Sequence, residues 1–120
     1  MMKHFFAVAI GGAVGASARY ALNILTQSLN QNIFIATLTA NIIGCLLMGF
    51  MYRWIMLNSE ISETLRLFMM VGVLGALTTW STFSLETIVM LEQGEIIKAL
   101  GYTLLTLTGC FTAFWIGWKI

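Results

Sequence analysis

Long uncharged stretches alternate along the chain with short polar segments. No Asp, Glu, Lys or Arg occurs in residues 20–52, 67–85 or 99–118, and residues 4–18 are also free of these charges. A bilayer core about 30 Å thick is crossed by about 20 residues of α-helix, which rises about 1.5 Å per residue. The pattern therefore predicts an all-α membrane protein with four membrane-spanning helices.

The four predicted spans fill the chain with little left over. Short polar loops separate them, and no linker, internal repeat or low-complexity segment is visible. We therefore predict a single transmembrane domain over residues 1–120. Its spans are predicted at about residues 4–25, 34–55, 64–90 and 96–118.

The composition excludes several other classes of protein. Of the 120 residues, 59% are hydrophobic and 9% are charged, against about 25% charged in an ordinary soluble domain. A small soluble domain needs proportionally more polar surface than a large one, and these few charges cannot supply it. Disorder requires low hydrophobicity and high net charge, and nucleic-acid binding requires a basic face. The net charge of +1 fits neither class.

The distribution of basic residues gives little indication of orientation. Four spans would place both termini on the same side of the membrane. The basic residues on that side are Lys3, Arg53, Arg66 and Lys119, against Lys98, and Arg19 if it reaches that interface, on the other side. This bias is too small for the positive-inside rule to select one orientation.

The third predicted span carries an unusual cluster of small and hydroxyl-bearing residues. Residues 72–84 contain Gly72 and Gly75 together with five serines and threonines. Glycine weakens a helix, and Ser and Thr side chains can replace lost backbone hydrogen bonds. We therefore predict a helix broken in mid-membrane. The freed carbonyl groups could bind a small cation, or the small residues could serve close helix packing.

Asn41 is the only Asn or Gln in the middle of a predicted span. On a helix it shares one face with Thr37 and Cys45, which lie four residues away on either side. Its amide could form a hydrogen bond that joins two helices, or it could point into a pore. The residues alone do not decide between these two interpretations.

Two further polar sets lie in the second half of the chain. Tyr102, Thr106 and Cys110 repeat every four residues, so they form a polar track or bond the carbonyls one turn earlier. Glu86 follows the same helix face as Thr82 and Phe83. A carboxyl group inside a span indicates an ion pathway or a hydrogen-bonded anchor, although Glu86 could also lie near the membrane interface.

The first span contains small residues suited to close helix packing. Gly11 and Gly15 form a GxxxG pattern, with Gly12 beside them. Arg19 closes the span, and we expect it to pair with polar groups at a helix end.

No enzyme site is visible in the sequence. There is no aspartate, only one histidine, and no metal-ligand spacing. Cys45 and Cys110 lie inside apolar stretches, and we interpret both as small packing residues. We therefore predict no catalytic residues, no organic cofactor and no enzymatic activity.

Three of these features occur together in one known family. They are Gly11-Gly12-x-x-Gly15-Ala16-x-x-Arg19-Tyr20, Thr37-x-x-x-Asn41, and Gly72-x-x-Gly75-x-x-Thr78-Thr79-Trp80-Ser81-Thr82-Phe83-Ser84. In motif order, length and number of spans, the chain resembles the CrcB/Fluc family of fluoride channels. The resemblance implies a passive fluoride channel of the inner (plasma) membrane. It also implies a homodimer in which the two subunits have opposite orientations.

The resemblance also implies roles for individual residues. Backbone carbonyls of Gly75 and Thr78 would hold a structural Na⁺ at the dimer interface. The pore residues implied for fluoride are Asn41, Trp80, Phe83, Ser81, Thr82 and Thr37, and the polar track is Glu86, Tyr102 and Thr106. The structural residues implied are Gly11, Gly12, Gly15 and Arg19. The sequence departs from the family pattern at Trp80, where the family usually has Phe.

The main alternative is a small four-helix multidrug transporter, which exchanges protons for cationic drugs. Such a mechanism would centre on a carboxyl group in the first span, and this chain has none there. A haem-binding membrane anchor would need paired histidines within its spans. A purely structural bundle would not require the cluster of hydroxyls in the third span.

Overall fold

The computed structural model describes residues 1–120 and contains helices joined by short turns, without strands. Four helical stretches are long and apolar enough to cross a membrane. The predicted all-α, four-span fold is therefore confirmed, and each predicted span lies within one of these stretches. The elements are α1 (Met2–Ser28), α2 (Ile33–Leu57), α3 (Glu63–Arg66), a π-helical segment (Leu67–Leu74), α4 (Gly75–Leu77), α5 (Trp80–Glu92) and α6 (Ile96–Lys119).

The third span is divided, as the sequence predicts. Its first helix begins at Glu63 and is capped by Ser62, whose hydroxyl oxygen accepts a hydrogen bond from the Leu65 N–H at 3.2 Å. The helix ends after Leu77, and Thr78 and Thr79 are extended, with ψ angles of 153° and 121°. These two residues form the break. The wider turns of the π-helical segment before the break are not indicated by any residue pattern.

α1 packs closely against the π-helical segment through two glycines. A β-carbon on Gly11 would overlap the carbonyl oxygen of Phe68, and one on Gly15 would overlap the carbonyl oxygen of Val73. Both glycines are buried. Gly12 differs, because a β-carbon there would meet nothing within 4 Å. The structure therefore does not require glycine at position 12 for packing within the chain.

α2 and α6 make a similar close approach through two other glycines. A β-carbon on Gly49 would overlap the carbonyl oxygen of Phe114, and one on Gly117 would overlap the carbonyl oxygen of Leu46. This contact holds α2 and α6 side by side along their length. Polar side chains on the two helices are thereby brought to face one another.

The interior of the bundle is small, and its outer surface is apolar. Only 20 of the 120 residues are buried, and large hydrophobic side chains are exposed on all four spans. Such a surface suits lipid rather than water. One of the two buried clusters, Phe83, Met90, Ala99 and Tyr102, lies directly after the break and forms one side of the candidate site.

Candidate functional site

The break in the third span is held by the side chain of Asn41 from α2. Asn41 Oδ1 accepts a hydrogen bond from the Thr79 N–H at 2.7 Å, and Asn41 Nδ2 donates to the Thr79 carbonyl at 3.1 Å. Asn41 is 7% exposed. A primary amide carries two N–H donors. One N–H of Asn41 is bonded to the Thr79 carbonyl, and the other takes no part in the two bonds with Thr79.

The break also releases backbone carbonyls, among them those of Gly75 and Thr78. In an unbroken helix, the N–H groups of Thr79 and Thr82 would donate to the carbonyls of Gly75 and Thr78. The two N–H groups donate instead to Asn41 Oδ1, at 2.7 Å, and to Thr79 Oγ1, at 3.2 Å. Gly75 lies at the surface of the chain. Carbonyl oxygens freed at a helix break are ligands of the kind that bind Na⁺ in transporters, so the residues present fit that ion.

Arg19 forms a hydrogen bond with another carbonyl freed at the break. Its Nε donates to the carbonyl oxygen of Ala76 at 3.2 Å. The helix end with which Arg19 is expected to pair is therefore α4, and the side chain joins the first span to the third.

The hydroxyls within and directly after the break form a connected chain centred on Thr79. The Thr79 hydroxyl donates to Thr82 Oγ1 at 3.1 Å and lies 3.3 Å from Ser81 Oγ. Thr82 and Ser81 are among the pore residues implied by the resemblance. Thr79 is not, although its backbone and side chain connect it to Asn41 and to both hydroxyls. Its signal in the sequence is its position directly before the regular pattern of α5, where an N-cap residue is expected.

Glu86 is anchored between three helices. Thr37 Oγ1 on α2 donates to Glu86 Oε1 at 2.8 Å, and the Tyr102 hydroxyl on α6 donates to Glu86 Oε2 at 2.6 Å. Thr37 and Tyr102 are each 3% exposed. Glu86 is itself partly exposed, and neutral donors from α2 and α6 hold its carboxyl group in place.

Three aromatic rings continue from the break toward this carboxyl group. The ring centroids of Trp80 and Phe83 are 5.1 Å apart, and those of Phe83 and Tyr102 are 5.2 Å apart in an edge-to-face arrangement. Phe34 packs against the opposite side of Tyr102 at 5.3 Å. Ring edges carry partial positive charge. Sequence reasoning missed Phe34, because an aromatic residue near the start of an apolar helix carries no distinguishing signal.

A cleft of about 240 Å³ opens beside the break and is lined by Asn41 and Thr106. Thr106 is 4% exposed, and its hydroxyl has no hydrogen-bond partner. The neighbouring Thr103 and Thr108 instead donate to the carbonyls one turn earlier. Thr106 is therefore the threonine of α6 whose hydroxyl is free to bind a ligand in the cleft.

A second cleft, of about 410 Å³, lies beyond the aromatic rings. Glu86 and Phe34 line it, together with Lys98, whose ammonium group lies 5.5 Å from the centre of the Phe34 ring. Tyr102 bonds Glu86 of this cleft and lies one helical turn before Thr106 of the first cleft. The two clefts are thus connected by neighbouring side chains of α6.

The structure brings most of the predicted site residues into one region. Neutral donors, aromatic ring edges and the Glu86 carboxyl group line it, and the basic side chain at its edge, Lys98, is engaged by Glu95 at 2.8 Å. Gly11, Gly12 and Gly15 lie apart from this region, on α1. Chemically, the arrangement can replace the water shell of a small anion without offering it a full positive charge.

Comparison with known proteins identifies relatives over nearly the whole chain. The family model described as CrcB-like protein, Camphor Resistance (CrcB), matches residues 6–118. A protein of Idiomarina loihiensis named fluoride-specific ion channel FluC is 49% identical over 100 residues, covering 82% of this chain and 77% of the relative. A protein of the same name from Pseudomonas fluorescens Pf0-1 is 39% identical, and the match covers 98% of this chain and 95% of the relative. Another, from Paracoccus denitrificans, is 45% identical, and the match covers 86% of this chain and 82% of the relative.

Proposed function

The chain belongs to the CrcB family, and from this premise we propose that it is a fluoride-specific ion channel. Fluoride leaves the cell through it passively, down its electrochemical gradient. It is a multi-pass protein of the inner (plasma) membrane and a channel rather than an enzyme. The structural observation that carries the proposal is the line of neutral donors and ring edges from Asn41 to Tyr102.

Fluoride is small and strongly hydrated, so a path must replace its water with other partners. The second N–H of Asn41 and the free hydroxyl of Thr106 are hydrogen-bond donors that face the first cleft. The edges of Phe83 and Tyr102 add partial positive charge. A conducting site must bind its ion favourably but weakly enough to release it. Neutral donors meet both requirements, whereas a buried Lys or Arg would retain the anion.

Glu86 has a positioning role in this proposal. Both of its oxygens accept hydrogen bonds from buried donors, Thr37 and Tyr102. The Tyr102 hydroxyl is thereby tethered, and the tether fixes the angle at which its ring meets Phe83. A multidrug antiporter would centre on a carboxyl group in the first span, and this chain has none there, so no observation favours that alternative.

We further propose that the working channel is an antiparallel homodimer. Trp80, at the entrance to the aromatic series, is 68% exposed in the single chain. A second copy of the chain would cover this ring and the exposed Gly75 beside it. The weak bias in basic residues supports insertion in both orientations, because neither orientation is strongly favoured.

A structural Na⁺ at the centre of this dimer completes the proposal. The carbonyl oxygens of Gly75 and Thr78 would hold it, since the break deprives both of their helical donors. When bound, the ion would supply positive charge beside the freed carbonyl oxygens. Asn41 and Arg19 occupy the neighbouring carbonyls of Thr79 and Ala76 and so leave this pair available.

Ion efflux from liposomes tests the proposed function directly. Purified protein is reconstituted into vesicles loaded with fluoride or chloride, and efflux is followed with ion-selective electrodes. We expect rapid fluoride efflux and chloride efflux no faster than from protein-free vesicles. Leu104→Ile changes a side chain that is 63% exposed on α6 and lies outside the proposed path. This variant serves as the control for a substitution as such, and we expect normal fluoride efflux from it. Absence of fluoride efflux, or equal efflux of the two ions, would contradict the proposal.

A further inference from the structure

Two cysteines meet in the first cleft, although they are 65 positions apart in the sequence. Cys45 lies one helical turn after Asn41 on α2, and Cys110 lies one turn after Thr106 on α6. Both line the same cleft, one from each of the two packed helices. Both are free and half-buried. Interpreting them as packing residues accounts for their size but not for their shared opening to the cleft.

We propose that Cys45 and Cys110 form a two-thiol binding site for a soft metal ion that prefers linear coordination, such as Hg²⁺. Thiolate sulfur selects soft metal ions. On binding, each thiol loses its proton to water and each sulfur forms one bond to the metal, without oxidation or reduction. The two thiolate charges cancel the charge of a divalent ion. The resulting complex is neutral, which matters because an uncompensated charge is costly in an apolar environment.

The ligand set also defines which metals the site does not suit. No group of three or more His, Cys, Asp or Glu side chains in the chain could hold a metal ion together. Zn²⁺ is almost always held by four protein ligands in structural sites, so two thiols serve it poorly. The other polar groups facing the cleft are neutral, and among them the buried Thr106 hydroxyl has no partner. The cleft therefore favours a two-coordinate soft ion over Zn²⁺.

The position of the site gives metal binding a functional consequence. The cleft contains about 240 Å³ and is also lined by Asn41 and Thr106, two of the proposed fluoride donors. A metal ion bridging α2 and α6 there would obstruct the cleft and fix the two helices together. This consequence rests on the proposed channel function, whereas the binding site itself does not.

Binding is tested first, on the purified full-length protein titrated with HgCl₂. Ultraviolet absorbance of the mercury–sulfur bond and intact-protein mass measure the stoichiometry, and maleimide labelling measures the free thiols. We expect one ion per chain, simultaneous protection of both cysteines, and no protection by the same concentration of ZnCl₂. With both thiols present, both chlorides leave the metal, whereas a single thiol displaces only one. Cys45→Ser and Cys110→Ser should therefore each lose the chloride-free, two-sulfur complex while leaving the size-exclusion profile unchanged. Two ions per chain, or a chloride-free complex retained in either variant, would overturn the proposal.

Flux is tested second, in fluoride-loaded liposomes. HgCl₂ should stop efflux through the unaltered protein and should not affect the Cys45→Ser, Cys110→Ser double variant. Unchanged efflux at saturating occupancy would overturn the inferred obstruction of the cleft. If the protein bound one Hg²⁺ but conducted no fluoride before its addition, the metal site would stand and the channel function would fail. The two proposals are therefore separately testable.

Discussion

The side chain of Asn41 and the backbone of Thr79 form a reciprocal pair of hydrogen bonds, 2.7 Å and 3.1 Å long, across 38 positions of sequence. The pair satisfies both backbone groups of Thr79 where the third span leaves its helix. Unpaired backbone groups are expensive inside a membrane, so this one side chain stabilises the extended conformation of the break. Its remaining N–H donor is the group that we propose donates to fluoride.

We expect Asn41→Asp to abolish fluoride efflux. The substitution removes the Nδ2 donor to the Thr79 carbonyl and introduces an acidic group into an anion path. Leaving a buried acceptor unpaired costs about 1–3 kcal/mol, so thermal unfolding in detergent should be measured beside flux. A folded variant that conducts at the normal rate would show that Asn41 only supports the break.

Tyr102→Phe should reduce fluoride efflux while keeping the aromatic ring. The change deletes the 2.6 Å hydrogen bond to Glu86 and should lower the free energy of unfolding by about 1–3 kcal/mol. Without its tether, the ring no longer holds its edge-to-face angle to Phe83. A double-mutant cycle with Glu86→Gln measures the coupling in both stability and flux. Additive effects would contradict the positioning role of Glu86.

Phe83→Ile should impair efflux and preserve assembly. Isoleucine keeps the site apolar but has no ring edge to present to an anion. Phe83 is 5% exposed, whereas Phe5 on α1 is 70% exposed. Phe5→Ile is therefore the matched control, and we expect normal flux from it. Normal conduction in both variants would remove Phe83 from the fluoride path, provided that size-exclusion profiles agree.

Trp80→Phe should fold normally and change the rate of fluoride efflux. Tryptophan presents a positive ring edge and an additional N–H donor, but it is bulkier than phenylalanine. Trp80 lies 5.1 Å from Phe83 and is largely exposed, so its replacement changes the path more than the core. Single-channel or bulk flux measured at matched protein density provides the comparison. Equal rates for the two proteins would refute an influence of Trp80 on throughput.

The break in the third span was predictable because its causes are local. Glycine and hydroxyl residues weaken a helix wherever it packs. Thr79 caps the start of α5 through its own hydroxyl, which accepts a hydrogen bond from the Thr82 N–H three residues later. The partner of the break was not predictable in the same way. Whether Asn41 faces Thr79 or a pore depends on how α2 is rotated against the third span, and the sequence pattern of α2 left both interpretations open.

The pairing of α2 with α6 explains what the sequence analysis missed. Phe34, on α2, becomes part of the site only because α6 brings Tyr102 to 5.3 Å from it. Cys45 and Cys110 share a cleft for the same reason. Each helix shows its own polar positions at a spacing of four residues. The register between the two helices is set by close contacts such as that of Gly117 with Leu46, which no local pattern specifies.

Gly15→Ala should destabilise the bundle, whereas Gly12→Ala should not. A β-carbon at Gly15 would overlap the carbonyl oxygen of Val73, which belongs to backbone and cannot turn away as a flexible side chain could. α1 would have to move away from the π-helical segment, and overpacking of this kind costs about 1–3 kcal/mol or more. At Gly12 nothing lies within 4 Å of the added carbon, and alanine is the better helix former. Thermal unfolding of the two variants in the same detergent measures the difference. Equal stability would mean that α1 approaches the third span less closely than the structure indicates, whereas a loss confined to Gly12→Ala would place that residue in a contact with a second copy of the chain.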